Sequence, residues 1–258
     1  MTKGVKIMIE ILNFKDVSSK MGRILGLEHP VIAVKLVRTG EEMPGHIKAP
    51  EKRSRYCQVL MLARHGEALL LTPDQLACPA ASAAFGFNPL PEMISSGKML
   101  HTLGLYESPE AAAETMRTMP RLEPRTLSAL VVGPLNGFPL KPDVVVVEGL
   151  PEQVMWLCLA RTFKNGGRLN FSTSIFQCCC VDSTVVPYMT GEINISPGCY
   201  GCRSSTDTSD GNMFIDIPIM LLNEIVEGLD GLSRKAIPDA RAKQVYHVYV
   251  ERKEDDRE

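Results

Sequence analysis

Eight cysteines stand against one tryptophan in a chain of 258 residues, and most of the cysteines are clustered. Cys178, Cys179 and Cys180 are consecutive. Cys199 and Cys202 form a Cys-x-x-Cys turn inside Ser196-Pro197-Gly198-Cys199-Tyr200-Gly201-Cys202-Arg203. Cys57 and Cys78 lie far upstream. Thiolates are soft metal ligands and nucleophiles, so the chemistry to weigh is metal binding or redox. In Cys199-x-x-Cys202, Gly201 permits the tight backbone that lets two thiolates face one metal. A structural zinc site wants a second such pair or a spaced pair of histidines. The sequence has neither, and His65, His101 and His247 are scattered. Nor does the spacing match the compact ferredoxin run.

An iron–sulfur cluster accepts cysteines from distant segments, because each iron takes its own thiolate. On that reading Cys57, Cys78, one of Cys179 and Cys180, and Cys199 or Cys202 converge on a cluster, expected to be [4Fe–4S]. Zinc is the alternative cofactor. Thiols without metal, either structural or redox-active, are the third reading. Consecutive side chains do not all point one way, so the triplet supplies one or two ligands. Its remaining cysteine packs inward or resolves a disulfide. Cys158, among Met155, Trp156, Leu157 and Leu159, reads as a core residue, since a free cysteine packs like a small apolar group.

Weaker candidates surround these. Cys78 precedes Pro79-Ala80-Ala81-Ser82-Ala83-Ala84, a helix start that would favour a thiolate; the small residues serve close helix packing equally well. Arg203 could neutralise a cluster or hold an acidic ligand, and a plain surface arginine is the alternative. Lys35 on an apolar strand needs a partner, a cavity, or a route out to solvent. Asp207, Asp210 and Asp216 could take a cation, although Ser204 to Asn212 reads more simply as a polar loop. The chain has no Gly-x-Ser-x-Gly, no Walker A and no Gly-x-Gly-x-x-Gly, which lowers the prior for familiar hydrolases, kinases and dinucleotide dehydrogenases.

The elements that must position these residues alternate between helix and strand. Residues 5–27 carry apolar side chains at helical spacing, with Gly26 as the stop. Pro30 to Val37, Ala68 to Thr72, Leu127 to Val132, Val144 to Val147 and Met213 to Ile217 read as strands. Tyr56 to Arg64, Pro151 to Ala160 and Pro218 to Glu227 read as helices. Ser108-Pro109-Glu110 opens another, expected to run to Met119. Thr72-Pro73-Asp74 reads as a further helix start, and Gly166-Gly167 as a turn. The pattern predicts an α/β (α+β) domain, a mixed sheet with flanking helices. Hydrophobic residues at 45% and charged residues at 22% are ordinary for one globular domain spanning 1–258.

Leu62-Ala63-Arg64 recurs as Leu159-Ala160-Arg161, and Gly66, Thr72 and Cys78 match Gly167, Thr173 and Cys179. Two pseudo-repeats, 30–122 and 142–231, are one reading, with a ligand in the crevice between them. Chance recurrence is the other. The net charge of -2 gives no basic field for nucleic acid or an anionic membrane. No apolar run reaches the roughly 18 residues of a membrane span. Met1 to Asn13 lacks a signal peptide's apolar core and cleavage site, and the far tail, Glu251 to Glu258, is expected to fray. These readings place the chain in the cytoplasm. Its expected partners are a redox protein or a small-molecule ligand, without nucleic acid or membrane, and with a homo-oligomer left open.

Four stretches together carry a resemblance: Pro30 to Lys35 (P-V-I-A-V-K), Arg55 to Gln58 (R-Y-C-Q), Leu69 to Pro79 (L-L-L-T-P-D-Q-L-A-C-P) and Asn194 to Arg203 (N-I-S-P-G-C-Y-G-C-R). In order and spacing the chain, over about residues 10–235, resembles domain-of-unknown-function family 169, the uncharacterised ArCR proteins. That resemblance implies a chain from an archaeon or anaerobic bacterium and an anaerobic cytoplasm. It implies a recurring set of Cys57, Cys78, one of Cys179 and Cys180, and Cys199, with Cys202 an addition in this chain. The recurring segments favour Cys179 of the triplet, while the family spacing favours Cys180. The resemblance supplies no reaction. Redox or electron transfer is the expected function. The rivals are a metal-free small-molecule-binding protein, a thiol-redox enzyme and a structural zinc protein.

Overall fold

Apolar, β-branched runs make the centre of one sheet. The computed structural model describes residues 13–174 and 176–243, with Cys178 by its backbone alone. In chain order the elements are α1 (Phe14–Leu25), β1 (Ile32–Arg38), α2 (Tyr56–Ala63), β2 (Leu69–Leu71), α3 (Pro79–Ala84), α4 (Glu92–Ser95), α5 (Lys98–Thr102) and α6 (Pro109–Thr118). Then follow β3 (Leu127–Pro134), β4 (Val144–Gly149), α7 (Pro151–Thr162), a π-helix (Cys178–Val185), α8 (Val186–Thr190), β5 (Asn194–Ser196), α9 (Tyr200–Ser205), β6 (Met213–Pro218), α10 (Ile219–Ser233) and α11 (Ala236–Arg241).

Among the described residues, six strands form one sheet in the order β2-β3-β1-β4-β6-β5. All five ladders are antiparallel, so the sheet is not the mixed one expected. The reason is placement. β3 and β4 run in the same direction, but β1 lies between them and keeps them from pairing. Among the described residues, the parallel pairing is the isolated bridge between Ser54 and Leu76.

Strand side chains alternate between faces, and each face has its own core. Ile32, Val34, Leu36, Leu130, Val132, Val144, Val146 and Phe214 point to one face. There they meet α2, α3, the short helices α4 to α6, and the π-helix. Ala33, Val37, Ala129, Val131, Val145, Val147, Ile215 and Ile217 point to the other, against α1, α7, α10 and α11. Each fully buried valine, leucine or isoleucine contributes about 1.5–3 kcal/mol before entropy is charged against it.

The helix ends follow their sequence signals. Asn13 accepts from Lys15 N and Asp16 N at the start of α1, and Gly26 closes it in the left-handed conformation at φ 70°. Ser108 accepts from Ala111 N at 3.1 Å, with Pro109 in the first turn of α6. Thr72-Pro73-Asp74 departs from expectation: it makes one turn. Gln75 turns its amide oxygen back to Thr72 N at 3.0 Å, and the chain then bridges to Ser54. The next helix waits for Pro79. The two Leu-Ala-Arg segments lie on opposite faces, one ending α2 and the other on α7. Residues 1–12, His247 and Glu251 to Glu258 lie outside the described residues. Among the described residues, no helix is long and apolar enough to cross a membrane.

Candidate metal centre

Each of the four candidate cysteine segments is placed at the start of a helix. Cys57 is the second residue of α2, whose first turn is held by Gln58 Oε1 accepting from Arg55 N at 2.9 Å. Cys78 immediately precedes α3, where Pro79 supplies a preset φ and needs no N–H partner. Cys179 and Cys180 lie in the first turn of the π-helix. Cys199 caps α9: its Sγ accepts from Cys202 N at 3.3 Å, and Cys202 follows one turn later. α2 and α3 both pack on the π-helix, and α9 packs on α2. The helix starts therefore converge, with exposed N–H groups and positive dipole ends that suit anionic sulfur.

Cys57, Cys78, Cys179, Cys180, Cys199 and Cys202 all line one cavity of about 430 Å³. This is the low end of the size range for small-ligand sites. The other walls are largely apolar, with Ile94, Met99, Leu103 and Phe176, and they include Arg55, Tyr56 and Gln177. No histidine, aspartate or glutamate lines it among the described residues.

Three of the thiols touch. Cys179 Sγ donates to Cys202 Sγ at 3.3 Å, and Cys57 also hydrogen-bonds to Cys202. Cys202 is consequently held well below the ordinary thiol range, by the bond from Cys179 first and that from Cys57 second, with Thr206 and Thr208 adding to them. The two donors move the other way. Their bond to Cys202, then burial, pushes Cys57 and Cys179 up. The trio favours a single thiolate held within the hydrogen-bonded group. Cys180 donates to Gln177 O at 3.4 Å.

Behind the cavity wall runs a buried polar chain. Tyr56 Oη and Thr184 Oγ1 are 2.9 Å apart, and Thr184 Oγ1 lies 3.1 Å from Asp216 Oδ2 and 3.0 Å from Cys179 O. Asp216 is 0% exposed, and burial drives its carboxyl well above the usual carboxylate range. At the far end of α2, Arg64 forms a buried ion pair with Glu148 and reaches Asp207 at 3.0 Å. Asn212 donates to Glu148 at 3.0 Å. This network ties the loop after α9 to α2 and β4, and so fixes Cys202 relative to Cys57.

The remaining candidates are placed elsewhere. Arg203 is not in the cavity wall; its guanidinium donates to the carbonyls of Pro197, Ser209 and Asn212, strapping the two sides of α9 together. Cys158 lies on the opposite face of the sheet, half-buried against the second core, and burial raises its thiol to about 11. Asp207, Asp210 and Asp216 do not converge: one pairs with Arg64, one is exposed and one is buried in β6. Ser204 and Ser205 belong to α9 and not to a loop. Lys35 has its partner, Asp143, at 3.2 Å, with Glu41 at 3.6 Å. Among the described residues, no three histidine, cysteine, aspartate or glutamate side chains form a group that could hold a metal ion. Gln177, Tyr56 and Thr184 were not singled out by sequence reasoning. Arg55 and Tyr56 were legible only as neighbours of Cys57, and nothing in the residue type of Gln177 marks it.

The model of a protein family described as uncharacterised ArCR matches residues 20–228. An uncharacterised protein of Methanocaldococcus jannaschii is 28% identical over 224 residues, which cover 86% of this chain and 96% of that protein. No solved structure matches the chain.

Proposed function

The chain belongs to the uncharacterised ArCR family, and from its cysteine cavity we propose that it binds an iron–sulfur cluster, [4Fe–4S], for redox or electron transfer. The observation that carries this reading is the meeting of Cys57, Cys78, Cys179, Cys180, Cys199 and Cys202 in the wall of one cavity. Cysteine segments more than a hundred residues apart in the chain converge there. The donor set fits the group. Its metal-ligating side chains are all cysteines, with no carboxylate or imidazole among the described lining residues, and soft thiolates select iron–sulfur clusters, zinc and copper(I). A single zinc ion wants four donors at about 2.3 Å from one point. A cluster hands each thiolate to a different iron and accepts a wider spread. When bound, the cluster supplies one-electron chemistry. The protein's part is to exclude water with Ile94, Met99, Leu103 and Phe176 and to offset negative charge with the helix starts.

Thiol redox chemistry is a second reading, favoured by the 3.3 Å approach of Cys179 Sγ to Cys202 Sγ. One experiment separates the two: anaerobic purification, followed by iron, sulfide and zinc assays and a visible spectrum on the same sample. About four irons and four sulfides per chain, with colour bleached by dithionite, is the expected result. One zinc per chain makes the site structural. A colourless protein that also resists cluster reconstitution leaves the thiols as the chemistry.

A further inference from the structure

We propose that the cysteine cavity also binds a short 2-hydroxy carboxylate, with Gln177 as its recognition residue and Arg55 as its counter-charge. This builds on the cluster reading by naming the substrate class for the same cavity, but its recognition groups are not cysteines.

Gln177 lines the cavity and is 3% exposed. Both atoms of its side-chain amide, Nε2 and Oε1, are buried and lack a hydrogen-bond partner. Its backbone sits at φ 58°, in the left-handed region that residues other than glycine rarely adopt. Buried amides are almost always satisfied, and strained backbone clusters at ligand sites. Gln177 breaks both rules at once, at the entrance to a π-helix, itself a rare element that recurs at functional sites.

The missing partner can be described chemically. Nε2 donates and Oε1 accepts, side by side, so the ligand must accept and donate at neighbouring atoms. Arg55, also in the wall, adds a sign. Its guanidinium bonds to Ser205 Oγ at 2.6 Å and Gly201 O at 3.4 Å, both neutral. Among the described residues, no carboxylate pairs with it. Arg55 is exposed, so its charge is open to meet an anion at the cavity, and the proposed ligand is anionic. A carboxylate accepts from Nε2 and answers Arg55, while a hydroxyl on the adjacent carbon donates to Oε1. Ile94, Met99, Leu103 and Phe176 leave the rest of the cavity to a short hydrocarbon body. A neutral carboxamide would satisfy Gln177 and leave Arg55 unanswered.

The test is calorimetric titration of 2-hydroxybutyrate into the full chain, as purified anaerobically and again after metal removal. Butyrate and butyramide serve as comparators. Binding by wild type, weakened at least about tenfold in Gln177→Leu and in Arg55→Gln, supports the site. So does weaker binding of butyrate, which lacks the hydroxyl, and of butyramide, which lacks the charge. Iron assays and the visible spectrum of each variant report the cluster independently. No binding by wild type, equal binding by a folded Gln177→Leu, or butyrate binding as tightly as the hydroxy acid overturns the proposal. A protein that is metal-free as purified, resists cluster reconstitution and still binds 2-hydroxybutyrate keeps this site and removes the cluster. An iron-loaded protein that ignores it keeps the cluster and removes this site.

Discussion

The two faces of the sheet are built from the same strands and solve opposite problems. On one, α1, α7 and α10 lie along the strands, and α10 packs closely against α7 at Gly228. A β-carbon there would come within 2.3 Å of Ala160 O, so the spacing of the two helices depends on that glycine. The buried glutamine of this face, Gln153, is fully employed: its amide donates to Leu25 O and Gly26 O and accepts from Leu150 N. The other face is covered by short helices, a π-helix and a cavity. Ser96 Oγ, Gln177 Nε2 and Oε1, Ser183 Oγ and Asp216 Oδ1, all buried without partners, belong to it. Two glutamines at nearly the same burial thus have opposite fates. One face is closed by satisfied contacts; the other carries unmet polar valence where chemistry would need it.

Substitutions can break that contrast. Cys57→Ser should have the largest effect on the cysteine face, removing most of the iron; Cys199→Ser should act alike, and Cys158→Ala on the opposite face should keep the metal. Iron and sulfide assays read all three. Iron lost from Cys158→Ala and kept in Cys57→Ser would reverse the roles of the two faces. On the opposite face, Leu157→Ala removes a fully buried side chain and should cost about 2–5 kcal/mol in denaturant unfolding, with iron per folded chain unchanged.

Asp216→Asn probes the unmet valence directly. Burial keeps the Asp216 carboxyl protonated well above its ordinary 3.8, so the folded state holds a proton that the unfolded state releases. Wild type therefore loses stability as pH rises above that value, while asparagine has nothing to release. The stability of the variant relative to wild type should grow with pH, by at most about 1.4 kcal/mol per unit, between paired unfolding curves at pH 4 and 7. A flat difference means that Asp216 is ionised in the fold. Ser108→Ala gives the smallest effect, about 1 kcal/mol from the lost cap of α6, without change in iron content.

Sequence reasoning reached the parts of the molecule whose signals are local. Ser108-Pro109-Glu110 names a helix start by its own chemistry. Val144 to Val147 can hardly be anything but a buried strand. The six cysteines were legible as a set because their type limits what they do, although only the fold could put Cys57 and Cys179 beside Cys202. What was missed depends on distant partners. The strand direction that makes the sheet wholly antiparallel is set by β1 lying between β3 and β4, which no run of residues declares. Thr72-Pro73-Asp74 carries good helix-start chemistry, but Gln75 closes it into a turn before Leu76 bridges to Ser54. Arg203 looked available for a ligand because its carbonyl acceptors, Ser209 and Asn212, lie in the following loop. Gln177 has an ordinary residue type in an extraordinary place.

The order of the strands also bears on how copies of this chain meet. Among the described residues, the long strands are interior, and the sheet ends on both sides in strands of only three residues, Leu69–Leu71 and Asn194–Ser196. An edge that short offers little unmet backbone for a neighbour to zip onto, which is how natural sheets resist runaway pairing. Among the described residues, the sheet therefore offers crowded molecules little edge for fibre-like growth, and its broad surfaces are its helical coats.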